Sequence, residues 1–218
     1  MRVTVFGATG PTGLKVCELA LAAGHEVRAT SRHSSALPLP EPDELSVVHA
    51  DAVSGDGVEE AVRGADAVLS VLGVSYTRRP VSAYSLGTRA IVNALRRGEG
   101  GRRLVVVSSG LTYPPPPGFG FVPDRIVFPL LRNVIGRTLY ADMRRMEELL
   151  HSAEDVDWTV VRPGRLCDTP AVSRYRLDLD HPSQAYTSRI DLAAAMVAEL
   201  DPATAHVHQA IAPTTTRR

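Results

Sequence analysis

Gly7-Ala8-Thr9-Gly10-Pro11-Thr12-Gly13 stands directly after the apolar, β-branched run 3–6 and directly before residues 14–23, whose apolar positions recur at helical spacing. A glycine-rich turn between a first strand and a first helix has a specific physical use. Gly7 permits a tight turn, Gly10 lets a ligand approach the backbone with no Cβ in the way, and Gly13 lets the helix pack closely on the strand. The uncompensated N–H groups and the dipole of the new helix then face an anion such as a pyrophosphate. The placement carries the inference, because a glycine pattern without its strand and helix says little.

The same alternation continues along the chain. Further strand-like runs fall at 26–30, 45–49, 67–71, 104–107 and 158–161, and helical spacing at 58–62, 82–97, 140–150 and 190–200. Strands that are apolar throughout and alternate with helices predict an α/β fold, a doubly wound parallel sheet with helices on both faces. We expect one domain over 1–218, with a cofactor half at 1–110 and a substrate half at 111–218. Two stretches break the rhythm. Tyr113 is followed by Pro114-Pro115-Pro116-Pro117, which can neither continue a helix nor join a central strand. Residues 113–136 are nevertheless rich in Phe, Ile and Leu, so a flap folded back over the sheet is expected. The second stretch, 164–186, is irregular and rich in Pro and Arg.

Of 218 residues, 44% are hydrophobic and 22% charged, which suits a chain with a sizeable core. Twenty-four acids balance twenty-four bases, so no global field would hold nucleic acid or an anionic membrane. No apolar run approaches the ~20 residues that cross a bilayer. Cys17 and Cys167 lie far apart with no export signal before them, which predicts free thiols and a cytoplasmic location. Lys15 is the only lysine, and every other formal cation is arginine.

The spacing of the glycine turn departs from the tighter G-x-G-x-x-G fingerprint. It resembles the loop of the atypical short-chain dehydrogenase/reductase superfamily, and in particular the NAD(P)H-binding, NmrA-like, flavin reductase and biliverdin-IX-beta reductase group. The resemblance spans roughly 1–200. It implies a Rossmann fold in which the loop residues Gly7, Thr9, Gly10, Pro11, Thr12 and Gly13 bind the dinucleotide. It further implies that Asp51-Ala52 contact the adenine and that Leu72-Gly73 run along the cofactor. Ser108-Ser109-Gly110 ends the fifth strand, where a catalytic serine is usual. Trp158-Thr159-Val160-Val161-Arg162-Pro163-Gly164 resembles the sixth-strand signature, with Pro163 against the cofactor, and Asp191-Leu192-Ala193 the late helix.

Charge argues for the choice of dinucleotide. Enzymes that use NAD place a carboxylate at the end of the second strand to bind the ribose 2′-hydroxyl. Here that strand end is Arg28-Ala29-Thr30-Ser31-Arg32-His33-Ser34-Ser35, with no acid in it. Arg32 can clamp a 2′-phosphate bidentately and Ser34 can donate to it, so NADP(H) is favoured over NAD(H).

The usual Tyr-x-x-x-Lys pair of such enzymes, in which lysine tunes the tyrosine, is missing. Tyr140 is followed four residues on by Arg144, which can carry charge but cannot exchange protons near neutral pH. The two are either a degenerate pair or neighbours on one helix face. Ser109, at the end of the fifth strand, is the stronger catalytic candidate, with Tyr113 able to share its task. His206-x-His208 lacks a third metal ligand. Arg96-Arg97 and Arg102-Arg103 suggest a solvated edge, and residues 214–218 a frayed tail.

Three functions remain open. The first is an NADPH-dependent reductase acting on a flavin, quinone or conjugated carbonyl, acceptors that need little acid catalysis. The second is a non-reducing epimerase, dehydratase or isomerase using the same cofactor. The third is an NmrA-like redox sensor that binds NADP without turnover. A monomer or homodimer with a small-molecule substrate and no nucleic-acid partner is expected.

Overall fold

The computed structural model describes residues 1–32, 38, 42–77 and 79–216. Among the described residues eight strands form one sheet: β1 (Arg2–Phe6), β2 (Glu26–Ser31), β3 (Leu45–His49), β4 (Ala67–Ser70), β5 (Arg103–Val107), β6 (Asp157–Val161), β8 (Arg176–Leu179) and β10 (Gln209–Thr214). A pair of short strands, β7 (Arg165–Cys167) and β9 (Tyr186–Ser188), lies apart from it. The helices are α1 (Pro11–Ala22), α2 (Val58–Val62), α3 (Ala83–Arg97), α4 (Phe128–Leu130), α5 (Arg137–His151) and α6 (Arg189–Ala198).

The sheet order is β3-β2-β1-β4-β5-β6-β10-β8, parallel throughout except that β8 runs antiparallel to β10. The first six strands therefore take the 3-2-1-4-5-6 order of the doubly wound Rossmann fold, as expected. Alternation along the strands builds the two cores. Val3, Val5, Leu69, Val105 and Val161 face Val16, Ala20, Leu192 and Met196 of α1 and α6. Phe6, Val68, Leu104, Val106 and Val160 face Ile91, Leu95, Met146 and Leu150 of α3 and α5. Both faces are apolar because both carry helices, and a residue every second position reaches one of them.

The structure corrects several expectations. The sheet is not wholly parallel, since β8 arises from the stretch 164–186. Its edge strand β3 is only partly covered, with Val47 39% exposed. The tail is not frayed where it is described: Thr214 closes β10 and is buried, and the buried Thr215 donates its hydroxyl to Asp191 Oδ2 at 2.6 Å. Arg103 does not belong to a solvated edge; it is largely buried and donates to Glu199 Oε2 at 3.0 Å. Arg96 and Arg102 meet Asp155, as surface pairs.

The expected flap over the sheet is instead an exposed helical arm. A π-helical turn, Pro123–Val127, runs into α4 and then into a second π-helical turn, Leu131–Ile135, and none of these residues is buried. Val122, Ile126, Leu130 and Val134, each four positions on from the last, are all exposed. Pro123 suits a first helical turn because its missing N–H would be unpaired there anyway, so the arm becomes helical as soon as the proline run ends. Pro129 donates no N–H, and the widened turns lie on either side of it.

Candidate functional site

All strands from β1 to β6 are parallel, so their carboxyl ends gather along one edge, and the order reverses between β1 and β4. This is the crevice where open α/β sheets take their ligands. The glycine loop leaves β1 here. Gly7 has φ +80°, and a Cβ on it would lie 2.5 Å from the Val71 carbonyl oxygen. A Cβ on Gly13 would collide with the Gly7 carbonyl and reach within 2.8 Å of the Ala8 Cα. The fold itself therefore demands these two glycines.

Gly10 differs. Its φ of −78° and ψ of 161° suit any residue, and a Cβ there would meet nothing closer than Gly7 O at 3.4 Å. Among the described residues no atom requires glycine at this point, which fits a backbone left bare for a ligand. Gly10 is the N-cap of α1, and its first turn carries neither a side-chain cap nor an acid. Pro11 opens the helix and, like Thr9, is exposed, whereas Thr12 and Gly13 are buried. An anionic ligand finds the positive end of α1 uncontested here.

Arg32 directly follows β2 and is exposed; among the described residues no carboxylate pairs with it. Ser34 lies outside the described residues. Asp51 follows β3, and its Oδ1 accepts from Val53 N at 2.9 Å, so this carboxylate also shapes its own turn. Ala52 is buried beside α3, where a Cβ on Gly87 would sit 3.3 Å from the Ala52 Cβ and 2.5 Å from Leu72 Cδ1. The bare Gly87 thus lets α3 pack against both residues, and exposed Gly73 follows them. Pro163 O accepts from Gly110 N at 2.8 Å, stitching the ends of β5 and β6 together.

The residues proposed for catalysis divide into two groups. Ser108 is buried; its hydroxyl donates to Glu147 Oε1 at 2.5 Å and lies 2.9 Å from Thr112 Oγ1. Glu147 in turn takes Arg162 Nη2 at 2.5 Å, with both side chains out of solvent, and the Arg162 guanidinium stacks 4.9 Å from the Tyr113 ring centre. Burial, followed by the nearness of Glu147, raises the Tyr113 phenol above its ordinary range. The Ser108 hydroxyl and the Tyr113 ring are thus held by a buried ion pair.

Ser109 is half-buried and accepts from Leu111 N at 3.2 Å, and its hydroxyl acts on the Tyr140 phenol against the effect of burial, lowering it. Tyr140 is only 2% exposed, and its hydroxyl lies 2.7 Å from that of Tyr76. Burial, then the Tyr76 neighbour, pushes the Tyr140 phenol well above its ordinary range, so it stays neutral. Arg144 is not its partner: Arg144 Nη1 donates to Thr112 O at 3.0 Å. The degenerate Tyr–Arg pairing is therefore not formed.

Sequence reasoning missed Tyr76 and Glu147. Glu147 left a trace, being a carboxylate on the buried stripe of α5 that also holds Tyr140, Met143, Met146 and Leu150. Tyr76 left none. Among the described residues no group of three His, Cys, Asp or Glu side chains could hold a metal; His206 meets Glu199 at 2.7 Å instead. Nor is any described helix long and apolar enough to cross a membrane.

Known proteins share this fold. An uncharacterized chloroplastic protein of Arabidopsis thaliana is 29% identical over 178 residues, 78% of this chain and 60% of its own length, so this chain spans less than two thirds of that relative. A short-chain dehydrogenase/reductase from Veillonella parvula DSM 2008 in complex with NADP superposes with a TM-score of 0.77 at 19% identity, over 98% of this chain and 94% of its own. A protein described as an NADH-flavin reductase, from Streptococcus pneumoniae TIGR4, gives 0.78 at 22% identity, over 99% and 100%. At these identities the two structures share the fold. The NAD(P)H-binding family model matches residues 7–202, which with the bare Gly10 loop at the sheet's switch point makes this chain a member of the NAD(P)H-binding family.

Proposed function

We propose that this protein is an NADPH-dependent reductase that passes a hydride to a small planar acceptor: a flavin, a quinone or a conjugated carbonyl compound. The observation that carries the reading is the hydroxyl of Ser109 at the end of β5, together with a neutral Tyr140 that has no cation beside it among the described residues. A buried phenol without a cationic partner is a poor general base, so the site suits acceptors whose reduction needs orientation more than strong acid–base catalysis. Reduced nicotinamide, when bound, supplies the hydride.

The chain's own groups take the remaining tasks. Gly7, Gly10 and Gly13, with Thr9, Pro11 and Thr12, would hold the pyrophosphate against the N-terminus of α1. Arg32 and Ser34 would hold the 2′-phosphate and set the preference for NADP(H) over NAD(H). Asp51 and Ala52 would border the adenine, with Leu72, Gly73, Ser108 and Pro163 lining the path to the nicotinamide. Ser109 would donate a hydrogen bond to the oxygen or nitrogen where negative charge develops. Tyr113 would flank the acceptor from its stacked position on Arg162.

The test is NADPH oxidation in the presence of FMN, a quinone series and a panel of conjugated ketones. Turnover with any of them is the expected result. Tight NADPH binding without consumption would instead support a redox-sensing role, and consumption-free conversion of a sugar or alcohol would support the epimerase or dehydratase reading.

A further inference from the structure

Tyr76 lies on the segment after β4, outside every motif singled out in the sequence, yet its place is built. Val74 N donates to Tyr84 Oη at 3.2 Å on one side of it, and Thr138 Oγ1 donates to Thr77 O at 3.2 Å on the other. The Tyr76 and Tyr140 rings meet edge to face, 6.3 Å apart and at 65°. Gly136 leaves room for both, since a Cβ there would lie 2.5 Å from Tyr140 Cε2 and 2.9 Å from Tyr76 Cε1. Tyr76 is 54% exposed and Tyr140 is 2% exposed, so the 2.7 Å contact between their hydroxyls joins solvent to the interior. The Ser109 hydroxyl, just past the end of β5, is the next group that acts on the Tyr140 phenol, lowering it where burial raises it.

We propose that Tyr76 is a positioning residue that orients the Tyr140 phenol and carries protons between solvent and the Tyr140–Ser109 hydroxyls at the candidate active site. The inference rests on the reductase reading above. In that reaction the acceptor gains an electron pair with the hydride and needs one proton from the protein side. Ser109 gives its proton to the reduced acceptor and takes one from Tyr140; Tyr140 takes one from Tyr76, and Tyr76 takes one from a solvent acid, hydronium or buffer, which supplies the one proton that the reduction consumes. Each O–H bond broken is replaced by the next, so the three side chains end as they began. The order matters because a phenolate left at Tyr140 would be buried, with no cation beside it among the described residues.

The test is hydrogen exchange at the Tyr140 hydroxyl, read in the cofactor-free protein from the deuterium isotope shift on tyrosine ¹³Cζ, with Tyr140→Phe identifying the signal. Tyr76→Phe keeps the ring and removes only the hydroxyl. It is expected to slow exchange at Tyr140 by about tenfold or more, and more than Ser109→Ala does. Exchange as fast as in the native protein, or faster, would mean that Tyr76 merely covers Tyr140 and would overturn the proposal. This readout needs no turnover, so failure of every acceptor assay would sink the reductase reading while the exchange result still decides the relay. Where an acceptor such as 9,10-phenanthrenequinone is reduced, Tyr76→Phe should lower kcat and leave NADPH affinity unchanged; an unchanged kcat would overturn the catalytic part of the proposal.

Discussion

Replacing Gly10 with valine separates ligand binding from folding, because the structure assigns the three loop glycines different duties. A Cβ at position 10 meets only Gly7 O, at the ordinary contact distance of 3.4 Å, and the backbone there is extended. Valine is a poorer N-cap than glycine, by up to about 1 kcal/mol, but it also restricts the unfolded chain, which returns about 0.4–1 kcal/mol. The net change should stay within about 1 kcal/mol, or roughly 2–4 °C in Tm for a chain of this size. Binding should suffer far more, since the isopropyl group occupies the space through which a pyrophosphate reaches the N-terminus of α1. A hundredfold or greater loss of NADPH affinity is expected, about 2.7 kcal/mol. Gly13→Ala should do the reverse. Its methyl group collides with the backbone of Gly7 and Ala8, which cannot swing aside, so roughly 3 kcal/mol or more of stability should be lost. Calorimetric titration and thermal unfolding of both variants check the pair. A folded Gly10→Val protein that binds NADPH undiminished would refute the assignment of the loop.

Arg32→Ala should weaken NADPH binding by about 2 kcal/mol and leave NADH nearly unchanged, since only NADPH carries the 2′-phosphate. Raised salt should mimic part of that loss, and equal weakening of both dinucleotides would count against it. Ser109→Ala should lower kcat by about ten- to a thousandfold, the scale of one lost orienting hydrogen bond. Tyr140→Phe should cost less, because its phenol is buried and held neutral; steady-state kinetics that reverse this ordering would make Tyr140 the principal acid. Glu147→Gln should leave Arg162 buried without its counter-charge and destabilise the protein by about 3–5 kcal/mol. Chemical denaturation showing a loss below about 1 kcal/mol would mean that water or Asp180 takes over the pairing.

The alternation of apolar strands with helices, and the glycine turn after the first, were enough to determine a doubly wound sheet and the edge at which such sheets take their ligands. These signals are local. A strand declares itself through its own β-branched residues, and a right-handed crossover leaves little freedom about where it lies. Gly7, Gly10 and Gly13 were legible together, but the different reasons for them came from contacts with Val71 and Ala8, which no spacing reveals. Tyr140 and Arg144 stand one helical turn apart, and only the fold shows Arg144 turned to Thr112 and Tyr140 turned to a tyrosine 64 residues earlier in the chain. In the same way Glu147 looked like one of many helix acids until Arg162 and Ser108 closed around it, and Thr215 looked like part of a tail until its hydroxyl met Asp191. The helical arm shows the opposite limit: its apolar residues promised burial, yet whether they are covered depends on what the sheet and α5 leave open beside them. Period and composition determine an element and the face it prefers, whereas the partner of a buried hydroxyl or charge is decided by which elements the crossovers bring to the same edge.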